Sequence, residues 1–472
     1  MLFHSFDFAV FLAAAVPVFF LLPQVLRPAW LTLISYFFYM YVHPEFGWLL
    51  LGCTVIAYAA GLGLERLRRP LHRRLLLGGA TALILGVLGY YKYTDFVLAS
   101  VNHLSGADWP LLNVVLPVGI SFFTFQALSY CIDVYRGHFT AERRFDVFAA
   151  YKAFFPQLVA GPIERPANVI PQLKVRKHFD WDRLFSASQL ILWGFFKKLV
   201  IADRLAVFVQ EVYSAPHAHS SLQLLLASYA FAFQIFCDFS AYTDIARGTA
   251  RIFGIELMEN FRAPYHARSV AEFWTRWHIS LSTWFRDYLY IPLGGNRGSW
   301  LRWQINLAVV FLVSGLWHGA NWKFAIWGIL HAVYLVSGNA MKRLRGGSSH
   351  RANPKVAVKA AQILVTFHLV VLAWIFFRAE SLQDAWLIIG KVLSNPLSGP
   401  ALTPMFGLHE LLIAVGAILL LESVQMLHGR FGIRNLLSRC PLLPRWVAYY
   451  ALILGVVVFA KRGQHEFIYF QF

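Results

Sequence analysis

Long apolar runs recur along almost the whole of this chain, and they constrain its fold more than any other feature. Of its 472 residues, 58% are hydrophobic and only 14% are charged, and its mean hydropathy is +0.54. Soluble globular domains carry about 25% charged residues. A soluble chain of this length has several cores, but it cannot keep apolar runs on nearly every segment in water. The composition therefore excludes soluble enzymes and predicts a polytopic membrane protein.

A membrane-spanning helix needs about 20 apolar residues, and fewer where the bilayer is thin. Prolines at 117, 156, 162 and 171 interrupt the middle of the chain, so short buried or re-entrant helices are expected there. No repeat and no long linker divides the chain, which favours a single membrane domain over residues 1–472. The predicted spans are 6–22, 29–42, 46–64, 75–100, 114–132, 188–209, 222–237, 303–318, 322–340, 360–377, 408–428 and 446–460.

The formal net charge of +18 and the pI near 9.9 raise the question of whether this protein binds nucleic acid. The basic residues concentrate in loops at 66–74, 341–359 and 429–445, and in a membrane protein such loops face the cytoplasm. Membrane topology therefore explains the charge, and no nucleic-acid partner is predicted. Counting spans outward from these loops places both termini, and the loop with Asp108, on the outer (periplasmic) side.

Two kinds of site are not indicated by the sequence. The four cysteines, at 53, 131, 237 and 440, are scattered without metal spacing, so neither a disulfide framework nor a thiolate metal site is expected. No carboxylate stands at ligand spacing from His278, His318 or His331, so no metal is predicted.

The amino terminus lacks the basic region of a signal peptide, and residues 6–22 are interpreted as a retained first span.

Polar residues are costly inside a membrane and mark function by default. They concentrate between Phe236 and Asn321. In the middle of this region, Thr275, His278, Ser282 and Arg286 recur at helical spacing beside a flank rich in aromatic residues. The pattern predicts an amphipathic helix with a polar stripe. It fits an interfacial helix of the aromatic belt as well as a helix that lines a wet cavity.

His318 lies at the end of an apolar run, next to Gly315 and Gly319, which allow close approach of another backbone. Imidazole is the side chain best suited to move protons near neutral pH. A buried histidine with purely structural hydrogen bonds is the alternative. Asp238 and Asp244 are weaker candidates, because Ser240 and Tyr242 make a structural network equally plausible.

Residues 294–298 (GGNRG) follow no strand, so they indicate a turn with a basic residue rather than a nucleotide-binding loop. No serine-hydrolase elbow occurs in the chain either.

Two motifs carry a resemblance to a known family. They are residues 272–298 (EFWTRWHISLSTWFRDYLYIPLGGNRG) and 315–321 (GLWHGAN), supported by residues 116–122, 160–162 and 469–472. The chain resembles the membrane-bound O-acyltransferase (MBOAT) family, and within it the members that acetylate a bacterial exopolysaccharide such as alginate. The resemblance extends over nearly the whole chain.

This resemblance implies an all-helical (all-α) fold of about eleven spans, with shorter helices around a central tunnel, in the bacterial inner membrane. It also implies that His318 and His278 are the functional histidines, His278 standing where the family has His, Asn or Asp. The donor is then a cytoplasmic thioester, by resemblance acetyl-CoA, and His318 removes the proton from the acceptor hydroxyl. His278 or Asn321 positions the thioester carbonyl or the base, and Trp317, Ser282 and Arg286 are further donor-binding candidates.

Several alternatives remain open at this point. Another MBOAT pathway moves acetyl to peptidoglycan or cellulose, or D-alanine to teichoic acid. A proton-coupled transporter also places histidines in mid-membrane, although the chain lacks repeat symmetry.

Because no soluble domain is present to hold a polymer, the resemblance implies a periplasmic acetyl-accepting partner. The outward segment 378–407 is either a docking element or a plain surface helix.

Overall fold

The computed structural model describes residues 1–159, 161–344, 355–431, 441–461 and 467–468. Within these ranges every regular element is helical. Parts of the basic loops 341–359 and 429–445, together with Cys440, Ala160 and residues 469–472, lie outside the described residues. The described chain forms two compact units, residues 1–191 with 242–259 and residues 192–241 with 260–472.

The first unit contains long apolar helices and three short ones. Its elements are α1 Phe6–Leu21, α2 Arg27–Met40, α3 Phe46–Arg66, α4 Pro70–Leu88, a π-helical turn Gly89–Tyr93, α5 Thr94–Ser105, α6 Ile120–Arg136, α7 Phe145–Ala153, α8 Phe155–Leu158, α9 Pro166–Lys174, and the first part of α10 Trp181–Phe195. The last turns of α12 Ser221–Ile252 also belong to this unit.

Short helices fill the region that the prolines interrupt. All of α8 and nearly all of α7 are buried, which confirms the expectation of short buried helices. Gly119 explains how closely they approach α6: its φ is +77°, and a Cβ there would lie 2.6 Å from the carbonyl oxygen of Leu158. Phe155 packs among aromatic side chains from α1 and α2, with ring centroids 5.2 Å from Phe11 and 5.3 Å from Phe38. This aromatic packing forms the core of the unit.

The second unit contains both sequence motifs. Its elements are the end of α10, a π-helical segment Phe196–Ala202, α11 Asp203–Ser214, the first part of α12, a 3-10 turn Pro264–His266, α13 Val270–Arg276, α14 Ile279–Phe285, a π-helical turn Arg286–Tyr290, α15 Trp300–His318, α16 Trp322–Leu344, α17 Val356–Arg378, α18 Leu382–Ser394, α19 Leu408–Phe431 and α20 Leu442–Phe459.

Each predicted span falls on a helix, although the ends differ. The predicted span 222–237 is the start of a helix that continues to Ile252, and 188–209 is the middle of a continuous helix from Trp181 to Ser214. Seven helices in the described ranges are long and apolar enough to cross a membrane. For α20 only 6% of the apolar window is buried within the protein, so the rest of its surface requires hydrocarbon around it. The chain is a membrane protein, and the count of eleven spans stays a prediction.

Candidate active site

His318 is the last residue of α15 and lies in an aromatic enclosure. It is only 4% exposed. Its ring centroid is 5.0 Å from those of Trp317 and Trp327, and 5.5 Å from that of Phe377 on α17. Low polarity around an imidazole strengthens its interaction with any polar group that enters the site. The sequence placed this histidine correctly as deep and closely packed.

The position of His318 depends on the close contact of α15 with α16. A Cβ on Gly315 would collide with the backbone carbonyl oxygen of Phe324, and one on Gly328 would collide with that of Phe311. At Gly319 the backbone leaves the helix, and a Cβ there would enter the ring of Phe324. The predicted close approach of another backbone is therefore confirmed at Gly315, where a side chain would separate the two helices and displace His318, whereas Gly319 lies against the side chain of Phe324.

His278 lies at a break between two short helices, so the prediction of one amphipathic helix across residues 274–288 is wrong. α13 ends at Arg276, α14 begins at Ile279, and His278 between them has φ 43° and ψ 54°. Asn260 stabilises the break, because its carbonyl accepts from the Ile279 N–H at 3.0 Å and its Oδ1 from the Ser280 N–H at 3.1 Å. These hydrogen bonds satisfy the first donors of α14, as a capping residue does.

The break directs the imidazole of His278 into the interior, where it is completely buried. Its ring centroid is 4.6 Å from that of Phe239 on α12 and 6.1 Å from that of Trp317. Trp317 thus contacts both histidines, at 6.1 Å and 5.0 Å. Two histidines from distant parts of the chain flank a single indole. At His278 the segment is therefore in the protein interior and not at the membrane interface, and the lining of a wet cavity stays a prediction.

The other predicted donor-binding residues have structural contacts of their own. Asn321 is exposed, and its Oδ1 accepts from the Lys323 N–H at 3.0 Å, close to the start of α16. Ser282 donates to the Trp277 carbonyl at 3.3 Å. Arg286 is 58% exposed and pairs with Asp287 at 2.7 Å. Of these candidates only Trp317 contacts both histidines, and donor binding by the others stays a prediction.

Asp238 belongs to a buried ion-pair cluster that the sequence analysis did not identify. Lys198, in the π-helical segment, lies 2.8 Å from Asp238 and 2.9 Å from Asp203, and all three side chains are less than 8% exposed. Asp238 also accepts from the backbone N–H of Ile468 at 2.7 Å. The sequence contains one indication of this cluster. Two adjacent lysines lie inside an apolar run, and charged residues within a membrane are usually paired. The structure thus gives Asp238 an ion pair with Lys198 and a backbone hydrogen bond, and a role for this carboxylate as an acid stays a prediction.

In the other unit, Asp244 lies 3.6 Å from Arg247, which gives this carboxylate an ion-pair partner one helical turn away. Residues 294–298 form the predicted turn, with positive φ at three glycines, Gly294, Gly295 and Gly298. Among the described residues no group of three or more His, Cys, Asp or Glu side chains is placed to hold a metal ion.

His331 is a third histidine of this region, considered in the sequence only as a metal ligand. It is completely buried on α16, and its Nδ1 accepts from the Trp274 indole N–H at 3.3 Å. Its ring centroid lies 4.8 Å from that of Trp327, which also contacts His318. The sequence could have associated His331 with the site, because it lies four residues after Trp327 and therefore on the same helical face.

Comparison with known proteins is consistent with this geometry. The model of the MBOAT, membrane-bound O-acyltransferase family matches residues 144–379. The probable alginate O-acetylase AlgI of Pseudomonas aeruginosa is 41% identical over 400 residues, which cover 82% of this chain and 75% of that protein. The peptidoglycan O-acetyltransferase of Helicobacter pylori is 35% identical, covering 78% and 74%. The teichoic acid D-alanyltransferase of Bacillus subtilis is 28% identical, covering 63% and 82%.

The family match and these relatives define the chain as an acyl-transferring enzyme of the membrane. The chain belongs to the membrane-bound O-acyltransferase family, as the match over residues 144–379 and the 41% identical relative show.

Proposed function

We propose that this enzyme moves acetyl from a cytoplasmic thioester, acetyl-CoA, to a hydroxyl group on the outer side of the membrane, with His318 as general base. The observation that carries this proposal is the pair of buried histidines on Trp317, at 6.1 Å and 5.0 Å between ring centroids. An alcohol is a weak nucleophile at neutral pH and must lose its proton as it attacks. A buried imidazole at the end of α15 is suited to accept that proton.

In the proposed reaction the acceptor oxygen attacks the thioester carbonyl, and His318 takes the hydroxyl proton. The C–S bond then breaks, the thiolate leaves as coenzyme A, and the proton returns to solvent or to the leaving sulfur. His278 positions the thioester carbonyl or the base. The names of relatives with alginate and peptidoglycan as acceptors support a polysaccharide as the final acceptor, and alginate is favoured by the greater identity.

Replacing the proposed base tests this mechanism. His318→Ala is expected to lower acetyl transfer by about 10²-fold or more, which is the contribution typical of a general base. The assay is transfer of labelled acetyl from acetyl-CoA in membranes, normalised to the amount of protein in the membrane. His368→Ala is the control, because the His368 imidazole bonds Tyr229 and the Leu364 carbonyl on α17, away from the site. A His318→Ala variant with more than a tenth of the parent rate would contradict the assignment.

We also propose that the acetyl group reaches the polymer through a periplasmic partner whose hydroxyl is the direct acceptor. In this proposal the donor is cytoplasmic and the polymer lies outside, and the described residues form helices, seven of them long and apolar enough to cross a membrane. α18 within the outward segment is amphipathic, with Ala385 and Ile388 buried, which fits either a docking element or a surface helix.

Purified protein with labelled acetyl-CoA is expected to label the polymer only when that partner is added. Efficient labelling of the polymer by this chain alone would overturn the relay. It would also move the acceptor site into the enzyme's own outer cavity.

A further inference from the structure

Three cations lie around the end of helix α1 in the first unit. Arg27, at the start of α2, is only 6% exposed, and its guanidinium lies 4.9 Å from the ring centroid of Phe19. The guanidinium of Arg183 on α10 lies 5.9 Å from the ring centroid of Phe20. The backbone carbonyl of Lys177 accepts a hydrogen bond from Arg27, which brings the third cation to the same place. We call Arg27, Lys177 and Arg183 the cation cluster.

The charges of the cation cluster have no carboxylate partner among the described residues. Arg27 donates to the backbone carbonyls of Leu22 at 3.0 Å and Phe20 at 3.2 Å. Arg183 donates to the His178 carbonyl, and its Nε is buried without a hydrogen-bond partner in the described part of the chain. Carbonyl groups satisfy N–H donors but do not neutralise a charge, and buried charges are normally paired. The cluster therefore indicates an anionic ligand.

A small cavity adjoins the cation cluster. Arg27 and Lys177 line it together with Gln24 and several apolar side chains. Its volume of about 10 Å³ is enough for one water molecule or one hydroxyl group. The Gln24 side chain donates to the Leu173 carbonyl at 3.1 Å, and its Oε1 is a buried acceptor without a partner among the described residues. The cavity thus offers an acceptor for one hydroxyl group, next to cations that suit an anion.

Exposed apolar side chains lie beside the cation cluster. Trp181 is 74% exposed, and Phe179 contacts both Trp181 and Phe20, with ring centroids 4.9 Å and 5.4 Å apart. Exposed tryptophan next to basic residues is typical of the level of lipid headgroups. The other exposed apolar side chains of these segments are Leu21, Val25, Leu26 and Val175. This surface favours a lipid over a soluble anion, because a lipid has acyl chains beside its phosphate.

Contacts within the first unit assign this region to the predicted cytoplasmic side. Arg144 donates to the Val25 carbonyl at 3.0 Å, and the neighbouring Arg143 lies 3.9 Å from Glu65 at the end of α3. The end of α3 leads into the basic loop 66–74, which is predicted to face the cytoplasm. Anionic lipids of the cytoplasmic leaflet attract basic residues near the membrane surface. An anionic lipid is therefore the ligand that this end of the unit would meet.

We propose that the cation cluster and the Gln24 cavity bind an anionic phospholipid whose headgroup carries a hydroxyl group, of the phosphatidylglycerol class. The phosphate is too large for a cavity that holds a single hydroxyl, so it lies outside the cavity, against the cations. The headgroup hydroxyl enters the cavity and donates to Gln24 Oε1. The acyl chains lie against the apolar surface next to Leu21 and Trp181. The site goes beyond the proposed acyl transfer and does not depend on it.

Binding of single lipids to the purified, delipidated protein tests the site, and native mass spectrometry measures the affinities. The probes are dioleoylphosphatidylglycerol, dioleoylphosphatidylethanol, which keeps the charge but has no headgroup hydroxyl, and dioleoylphosphatidylcholine, which has no net charge. We expect phosphatidylglycerol to bind about 3- to 10-fold more tightly than phosphatidylethanol, the effect of one hydrogen bond. Phosphatidylethanol is expected to bind about 10-fold more tightly than phosphatidylcholine, because several cations attract its charge. Equal affinity for the two anionic lipids, or for all three lipids, would overturn the proposal.

Two substitutions separate the hydroxyl group from the charge. Gln24→Met removes the acceptor and is expected to abolish only the difference between the two anionic lipids. Lys177→Gln is expected to weaken both anionic lipids about 5-fold, the contribution of one basic residue at a membrane surface. Lys355→Gln is the matched control, because Lys355 is an exposed cation at the start of α17, outside the cavity, and it is expected to leave all affinities unchanged.

Lipid affinities of Gln24→Met and Lys177→Gln that equal those of the parent would show that the preference arises elsewhere, and would overturn the site. If Gln24→Met does not accumulate in the membrane, the comparison of the two anionic lipids on the parent protein decides. Competition with sn-glycerol 1-phosphate identifies the source of the phosphate. We expect this soluble headgroup not to displace the lipid at equal concentration, and displacement would replace the lipid site by a site for a soluble phosphate ester.

Discussion

The backbone at His278 is in the left-handed region, where a residue other than glycine costs about 1–2 kcal/mol. Backbone strain of this kind persists only where the surroundings determine it, and it clusters at functional sites. At His278 those surroundings are Asn260, which bonds the start of α14, and Phe239, which packs against the imidazole. These contacts hold the strained backbone in place, and the imidazole of His278 then lies beside Trp317.

Two substitutions at this position separate the backbone from the side chain. His278→Gly removes the strain and the imidazole, and His278→Asn keeps a hydrogen-bonding group that tolerates the left-handed conformation. We expect both variants to accumulate normally, the Gly variant to transfer acetyl at least about 10-fold more slowly, and the Asn variant to retain more activity than the Gly variant. Acetyl transfer and membrane abundance are the measurements. A Gly variant as active as the parent would show that the imidazole has no part in the reaction.

Helix α15 and helix α16 form a hairpin whose contact is backbone against backbone. Gly315 and Gly328 provide that contact, and the loop between the helices begins directly after His318. Association of helices inside a membrane depends on such close approach, since lipid is as apolar as the side chains. The hairpin thus sets the distance between His318 and Trp327.

Gly315→Ala is expected to destabilise the protein by about 2–3 kcal/mol, as overpacking of a close contact does, and to lower activity with it. Gly338→Ala on the same hairpin is the matched control, because a Cβ there has open space. Replacing a helical glycine by alanine without a clash gains up to about 1 kcal/mol, so this variant is expected to be as stable as the parent or slightly more stable. Thermal unfolding in detergent measures both. Equal stability of the two variants would contradict the close-packing account.

The distribution of basic loops predicts the orientation of the entire chain. In the first unit, Arg73 donates to the Tyr135 carbonyl at 2.8 Å and Glu65 lies 3.9 Å from Arg143. These contacts put the end of α3, the start of α4 and the end of α6 on the same face, which agrees with a single basic side. Position 108 follows α5 and is assigned to the opposite side by span counting.

Membrane-impermeant thiol labelling of intact cells tests this orientation. Arg69→Cys and Asp108→Cys are both exposed positions and are introduced in a Cys440→Ser background. The remaining cysteines at 53, 131 and 237 are buried and are not expected to react. We expect labelling at position 108 and none at position 69 until the cells are opened. Labelling of position 69 in intact cells would show that the topology is the inverse of the predicted one and that the proposed thioester donor enters from the other side.

The sequence by itself determined the membrane class, the positions of the helices, the small-residue hairpin and the burial of His318. These features depend on hydropathy and on neighbours within one or two turns, which the sequence contains directly. The tertiary structure alone decided the break at His278, which depends on hydrogen bonds to Asn260, eighteen or more residues away. It alone also decided the pairing of Lys198 with Asp238 and the hydrogen bond from Trp274 to His331. These depend on contacts between distant segments, and a periodic pattern carries no information about which distant residue will fill a given space.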